Sequence, residues 1–177
     1  MSILSVYHSS TPDIPNKVLT HLEDIAATLA EHGVGLQRRP AEAPIRPGAS
    51  LEEVSEAYRG QIDQLMTEHG LGALDVISVD SDHPLKEQLR ARLLDEQVSE
   101  SNEARWIVAG RGLLTLHVAG YVYALLCERG DLVTVPAGMG HWFDMGEQPR
   151  LVVVRLFGKD AQYTGSQIAS LFPRLND

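Results

Sequence analysis

Gly130-Asp131-Leu132-Val133-Thr134-Val135-Pro136-Ala137-Gly138-Met139-Gly140-His141 is the stretch that decides the fold, and Trp142-Phe143-Asp144-Met145-Gly146 continues it. It reads as a strand, then a Pro-Gly turn, then a histidine delivered to the mouth of a β-barrel. Working outward, short strand-like runs separated by glycine occupy most of the chain after residue 103. Arg105 to Ala109, Leu113 to Val118, Tyr121 to Cys127, Leu132 to Val135 and Leu151 to Phe157 all suit strands. Gly110-Arg111-Gly112 and Ala119-Gly120 read as hairpin turns. Closely spaced antiparallel strands of this kind point to a barrel or jelly roll.

The first third has a different texture. Pro15 is placed to open a helix, with Asp13 or Asn16 near its cap. Val18, Leu19, Leu22, Ile25, Ala26 and Leu29 recur at helical spacing, and Gly33 stops them. Pro40, Pro44, Pro47 and Gly48 mark residues 37–49 as a loop. Ser50 with Glu53 forms a capping box ahead of a stripe of Leu51, Val54, Tyr58, Ile62, Leu65 and Met66, which Gly70 ends. Ala73 to Val79 suits a strand, and Pro84 to Leu93 a short helix. The expectation is one domain over residues 1–177, mainly β, with residues 1–72 a mostly helical lead-in and 73–177 the barrel.

Composition narrows the function. The 177 residues are enough for one real core, and 44% apolar with 22% charged residues is ordinary for a globular protein. A net charge of −9 argues against a nucleic-acid surface or an anionic membrane as partner. No run of 18 apolar residues is present to span a bilayer, and the first residues lack the pattern of a secretory signal. Cys127 is the only cysteine and sits in an apolar run, so it reads as a buried structural thiol, and a cytoplasmic address follows.

Gly130, Pro136, Gly138 and His141 keep the spacing of the second metal-binding motif of the cupins, and Glu103 with Gly110 fits the end of the first. The chain therefore resembles a cupin, which implies a double-stranded β-helix. A closer resemblance runs nearly the whole length. It rests on Ser5-Val6-Tyr7, Asp80-Ser81-Asp82-His83-Pro84, Val108 to Leu113, Val122-Tyr123, Pro136 to Gly146, Arg155-Leu156-Phe157 and Phe172-Pro173-Arg174-Leu175. These are similar to the acireductone dioxygenases, bacterial cytoplasmic enzymes of methionine salvage. The resemblance implies Fe(II) or Ni(II) held by three histidines and a glutamate, and cleavage of a methylthio-substituted enediol ketone by dioxygen. An enediolate chelates such a cation through two oxygens, and imidazole with carboxylate suits both metals.

The family's ligands follow His-x-His-x-x-x-Glu and then a distant His. Here Gln97 and Ser99 occupy the two histidine positions, while Glu103 and His141 keep theirs. An amide or hydroxyl oxygen suits harder ions than Fe(II) or Ni(II). The stretch from Gly158 to Gly165 is shorter than the family's and lacks its tryptophan, and Trp106-Ile107 replaces an aromatic pair.

Strand alternation puts Glu103, Arg105 and Ile107 on one face, and the resemblance places Arg155 near the cavity. Two guanidinium groups beside His141 can hold a carboxylate or enolate without metal, with His141 as acid or base and Glu103 orienting it. Three functions stay open. The first is a metal-using acireductone dioxygenase, with Gln97 and Ser99 as weak donors. The second is a metal-free isomerase, cyclase or lyase acting on a small anion, and the third is a binding protein without catalysis. The expected partner is a small enediol or carboxylate anion, and the expected state a monomer or small homo-oligomer. Plain alternatives stand beside these. Glu103 and Arg105 can be a structural ion pair, His83 a turn residue and His117 a packed or surface residue. His8, His21, His32 and His69 read as solvent-facing, and Asp95-Glu96 as solvated surface.

Overall fold

The computed structural model describes residues 1–176. Twelve strands form two antiparallel sheets among the described residues. The first carries β1 (Ile3–His8), β2 (Lys17–Leu19), β5 (Gln97–Val98), β7 (Arg111–Val118), β8 (Tyr121–Glu128), β10 (Gly140–Asp144) and β12 (Gln162–Tyr163), in the spatial order β12-β5-β10-β7-β8-β1-β2. The second carries β3 (Gly35–Arg38), β4 (Ala73–Val79), β6 (Glu103–Ala109), β9 (Asp131–Val135) and β11 (Leu151–Phe157), in the order β3-β9-β6-β11-β4. The helices are α1 (Leu22–Ala30), α2 (Leu51–Ala57), α3 (Arg59–His69) and α4 (Lys86–Leu94). The expected mainly β, jelly-roll type of architecture is present, as two facing sheets rather than one closed ladder.

Alternation along the strands builds two cores. Leu4, Val6, Ile107, Leu114, Leu116, Leu125, Val133, Phe143 and Val153 point between the sheets. Ala104, Trp106, Val108, Val152 and Val154 point the other way and are covered by Val54 of α2, Ile62 and Leu65 of α3, and Tyr58 between the two helices. Trp106 donates its indole N–H to the Arg39 carbonyl at 2.8 Å and meets the Tyr58 ring edge-on at 5.0 Å. The capping box is as expected: Ser50 Oγ accepts from Glu53 N, and Glu53 accepts from Ser50 N. Gly70 ends α3 with φ 65°. Cys127 is buried, and burial pushes its thiol pKa up. Among the described residues no helix is long and apolar enough to cross a membrane.

Several local expectations are corrected. Residues 1–72 hold three strands as well as helices, and β1 runs inside the first sheet between β8 and β2. The first helix begins at Leu22, not near Pro15: Lys17–Leu19 pair with β1, and Val18 is exposed. The second helix breaks at Tyr58, whose φ of −121° lies outside the helical range. Gly110-Arg111-Gly112 is not a hairpin. It carries the chain from one sheet to the other, since β6 pairs with β9 and β11 while β7 pairs with β8 and β10. Gly110 has φ 73°, and a Cβ there would lie 1.9 Å from the Arg150 carbonyl oxygen, so the crossing requires glycine. Ala119-Gly120, with φ 46° and 87°, does close the β7–β8 hairpin.

Candidate functional site

At one end of the space between the sheets, β6, β11, β5 and β10 bring the expected residues together. Glu103, Arg105 and Ile107 share the inward face of β6. Arg155 of β11 stands directly opposite Arg105, and Gln97 of β5 directly opposite His141 of β10. Glu103 Oε2 lies 3.4 Å from His141 Nε2 and 3.7 Å from Arg105, and Glu103 Oε1 lies 3.8 Å from Arg155. Glu103, Arg105 and His141 are 1–2% exposed.

Each group is held from behind. Met139 presents its carbonyl oxygen 3.0 Å from His141 Nδ1, which assigns one ring proton to Nδ1 and turns Nε2 toward Glu103. The Arg105 guanidinium lies over the Phe143 ring, 5.5 Å from its centroid. Arg155 lies over Phe157 and reaches the exposed Asp75 at 3.2 Å. Two arginines side by side across a ladder repel; Glu103 from within and Asp75 from the rim offset this. Burial alone would push the Glu103 carboxyl up. The facing His141 ring and the two guanidinium groups outweigh it and hold Glu103 at about 2. Burial, with Arg155 adding, lowers Arg105 to about 10 while Glu103 pulls the other way, so it stays protonated at neutral pH. Both Glu103 oxygens, His141 Nε2, Arg105 Nε and Nη1 and Arg155 Nε find no hydrogen-bond partner among the described residues. Buried polar atoms in that state suit a ligand.

A chamber of about 600 Å³ opens outside this group, with Gln97 and Arg155 in its wall. Ile77, Val79, Leu89 and Leu93 give it an apolar side, and His83, Arg92 and Tyr163 a polar one. His83 is a turn residue as well, since its Nδ1 accepts from Leu85 N at 3.0 Å.

The donor set does not fit the metal that the family resemblance implies. One carboxylate and one imidazole converge. Gln97 lies beside them on β5 with only a neutral amide. Ser99 is spent elsewhere: its hydroxyl donates to the Lys159 carbonyl at 3.0 Å and accepts from Ser101 N at 3.1 Å. Among the described residues no group of three or more His, Cys, Asp or Glu side chains is placed to hold a metal ion. Glu103 and the rim residue Asp75 balance the two guanidinium charges, so it is the buried arginine N–H donors left without a partner that favour an anion over a cation.

Other histidines and acids depart from expectation in part. His117 is half-buried and lies 3.0 Å from Glu96. Glu96 is 6% exposed, not solvated surface; it also accepts from Thr164 Oγ1 at 2.8 Å. His8 and His21 are exposed, but His32 is half-buried against the Tyr123 hydroxyl at 2.8 Å and His69 is half-buried too. Phe143 faces the site and Trp142 the opposite core. Reasoning from sequence misses Asp75 and the Met139 carbonyl, and it offers Ser101 only as a nearby replacement donor, whereas its hydroxyl holds the Gly158 and Lys159 amides. Only Asp75 had a signal: it falls on the same face of its strand as Ile77 and Val79.

The model of the ARD/ARD' family matches residues 4–164. Curated acireductone dioxygenases of Pseudomonas syringae pv. tomato, Stutzerimonas stutzeri and Pseudomonas aeruginosa are 63%, 61% and 55% identical to this chain, each over the whole of both chains. A solved acireductone dioxygenase of Bacillus anthracis, described with a cadmium ion in its active center, superposes with a TM-score of 0.77. It is 22% identical, with 92% of this chain and 98% of that one covered.

Proposed function

The chain belongs to the ARD/ARD' family, whose role is methionine salvage, and on that premise we propose that its buried site takes a small enediolate or carboxylate anion while the family's metal-dependent oxygen cleavage is impaired or absent. The observation that carries this reading is the composition of the cluster around Glu103. Two arginines and one histidine surround it, and neither Gln97 nor Ser99 supplies an imidazole.

The chemistry left to these residues is polar and acid–base. Arg105 and Arg155 present unpaired N–H groups to an oxyanion in a buried, low-dielectric place, where such bonds are strong. His141, fixed by Met139 through Nδ1, faces Glu103 with Nε2; with a proton there it points an N–H at the carboxylate and can give that proton to a substrate carbon, and once it has done so Nε2 can take one from an enediol hydroxyl. Glu103 holds the guanidinium pair together and orients the imidazole. The acid–base alternative, an isomerase, cyclase or lyase without metal, uses the same four residues. The chamber's apolar side suits a short hydrocarbon or thioether tail. A cytoplasmic address and a single small-molecule partner belong to this reading.

Metal analysis with an activity assay tests it. Protein produced with excess Fe or Ni is expected to carry well under one metal per chain and to leave an acireductone and dioxygen unconsumed beyond the background rate. Near-stoichiometric metal with turnover would remove the proposal. Gln97→His with Ser99→His is expected to raise Ni(II) affinity, because it returns two imidazoles beside Glu103 and His141.

A further inference from the structure

The serines at and beside the altered ligand position carry more than a loss. Ser101 Oγ accepts two backbone N–H groups, from Gly158 at 3.2 Å and Lys159 at 2.8 Å. Ser99 Oγ donates to the Lys159 carbonyl at 3.0 Å. Both backbone polar groups of Lys159 are therefore held by side chains from residues 99–101, as a ladder strand would hold them. The approach is close: a Cβ on Gly158 would sit 3.2 Å from the Ser101 Cβ. Further along, Gln162 and Tyr163 pair with Val98 and Gln97, and Thr164 binds Glu96 through both its backbone N–H and its hydroxyl. Tyr163 Oη then donates to the Arg92 carbonyl on α4 at 3.2 Å, across the chamber.

The strap formed by residues 158–164 thus lies against the one short strand that screens the buried pair. Gln97 is the cross-strand neighbour of His141, and it also lines the outer chamber. Arg155, the other shared wall residue, lies 3.8 Å from Glu103. With His141 1% and Glu103 2% exposed, no ligand reaches them unless this wall moves. β5 has only two residues and is held on its outer edge by the strap alone. A smaller recess of about 140 Å³ also touches Glu103, with Gly33, His69, Leu71, Asn102, Thr134 and Pro136 in its wall; it lies well below the roughly 300–1,000 Å³ of a ligand pocket, so the larger chamber is the route considered.

We propose that residues 158–164 are a lid over the buried pair and that Ser99 and Ser101 are its latch, so that solvent and small anions reach His141 and Glu103 when the serine bonds break and the strap lifts from β5. The proposal rests on the reading of the buried cluster as a ligand site, but its test needs no ligand. Diethyl pyrocarbonate modifies accessible imidazoles, and peptide mapping gives the rate at each histidine, with exposed His8 and His21 as internal references. Hydrogen exchange reports the Gly158 and Lys159 amides in the same samples.

In Ser101→Ala, amide exchange at Gly158 and Lys159 and modification of His141 are both expected to rise roughly twentyfold to thirtyfold, about fivefold for each of the two hydrogen bonds lost. His8 and His21 should not change. Ser99→Ala, which leaves the two amides their acceptor, is expected to raise His141 modification by a smaller factor and guards against a folding defect in the first variant. The proposal is overturned if the amides loosen while His141 stays as slow as in the native chain, or if neither rate moves. It is equally overturned if His141 already reacts as fast as His8 in the native chain. Failure of anion binding would count against the function proposed above and leave these rates untouched.

Discussion

Residues 130–145 and residues 96–102 meet along the backbone at the ladder pair of His141 with Gln97 and at the Gly138 N–H, which donates to the Ser99 carbonyl at 2.8 Å, yet they are held in different ways. The first segment is ladder on both sides, in β9 and β10, and its side chains reach deep partners. Asp144 shows how deep. Its carboxylate takes Arg90 at 2.8 and 3.1 Å and the Gly146 and Leu175 amides, each at 2.9 Å. Burial pushes this carboxyl up, but Arg90 and the two amides hold it below the ordinary range. The second segment has two ladder residues and two isolated backbone bonds, from Gly138 N to the Ser99 carbonyl and from Thr164 N to the Glu96 carbonyl, and the rest of its ties are side-chain bonds from Glu96, Ser99, Ser101 and Asn102. The scaffold that delivers His141 therefore does not depend on what stands at positions 97 and 99. A ligand set can be lost from the loosely held segment while the firmly held one keeps its imidazole in place.

The largest expected effect breaks the firm side. Glu103→Gln leaves the buried Arg105 and the half-buried Arg155 adjacent without their shared carboxylate. Urea unfolding should show a loss of roughly 3–5 kcal/mol, the range for removing one partner of a buried ionic group. A loss below about 1 kcal/mol would mean that the cluster is far wetter than its exposure indicates. Acid sharpens the same point. The folded-state pKa of Glu103 lies at about 2, below the ordinary carboxylate value of 4.5, so the folded state binds this proton less readily than the unfolded chain. The resulting stability is complete above about pH 5 and declines as pH falls toward 2, by something on the order of 3 kcal/mol. Asp144 adds in the same direction. Urea midpoints measured from pH 6 down to pH 3 should fall more steeply in the native chain than in Glu103→Gln.

Two smaller effects concern the loosely held segment. Asn102 Oδ1 accepts from Ala137 N at 2.9 Å and is a direct tie between the two regions. Asn102→Ala should lower stability by about 1 kcal/mol. Lys159 and Glu100 form an ion pair at 3.1 Å, but their side chains are 69% and 82% exposed. Lys159→Ala should change the urea midpoint hardly at all, as for exposed pairs generally. A larger loss there than in Asn102→Ala would show that charge, not the serine hydroxyls, secures the strap.

How much was legible in the sequence follows the same division. Gly130, Pro136, Gly138 and His141 announce their segment because a turn and a ladder require those residue types at that spacing. Val-rich β11 and the alternation of Glu103, Arg105 and Ile107 gave the inward face of β6. The lead-in was less legible. Val18 and Leu19 satisfy helical spacing and strand alternation equally well, and β1 and β2 are settled by pairing with each other and with β8, more than 100 residues away. Gly110-Arg111-Gly112 has hairpin composition, and only the pairing partners reveal a crossing between sheets. Glu96 looked solvated because its partners, His117 and Thr164, lie 21 and 68 residues along the chain. The serine latch left no local trace at all, since its bonds span 57–60 residues.

The central claim is that the cluster around Glu103 grips an anion through arginine and histidine without a metal. Titration of chelator-treated protein with ascorbate, a stable enediolate, under anaerobic conditions tests it most directly. Saturable binding at one site per chain is expected to persist in excess chelator and to disappear in Arg155→Met; binding that occurs only after Ni(II) or Fe(II) is added would contradict it.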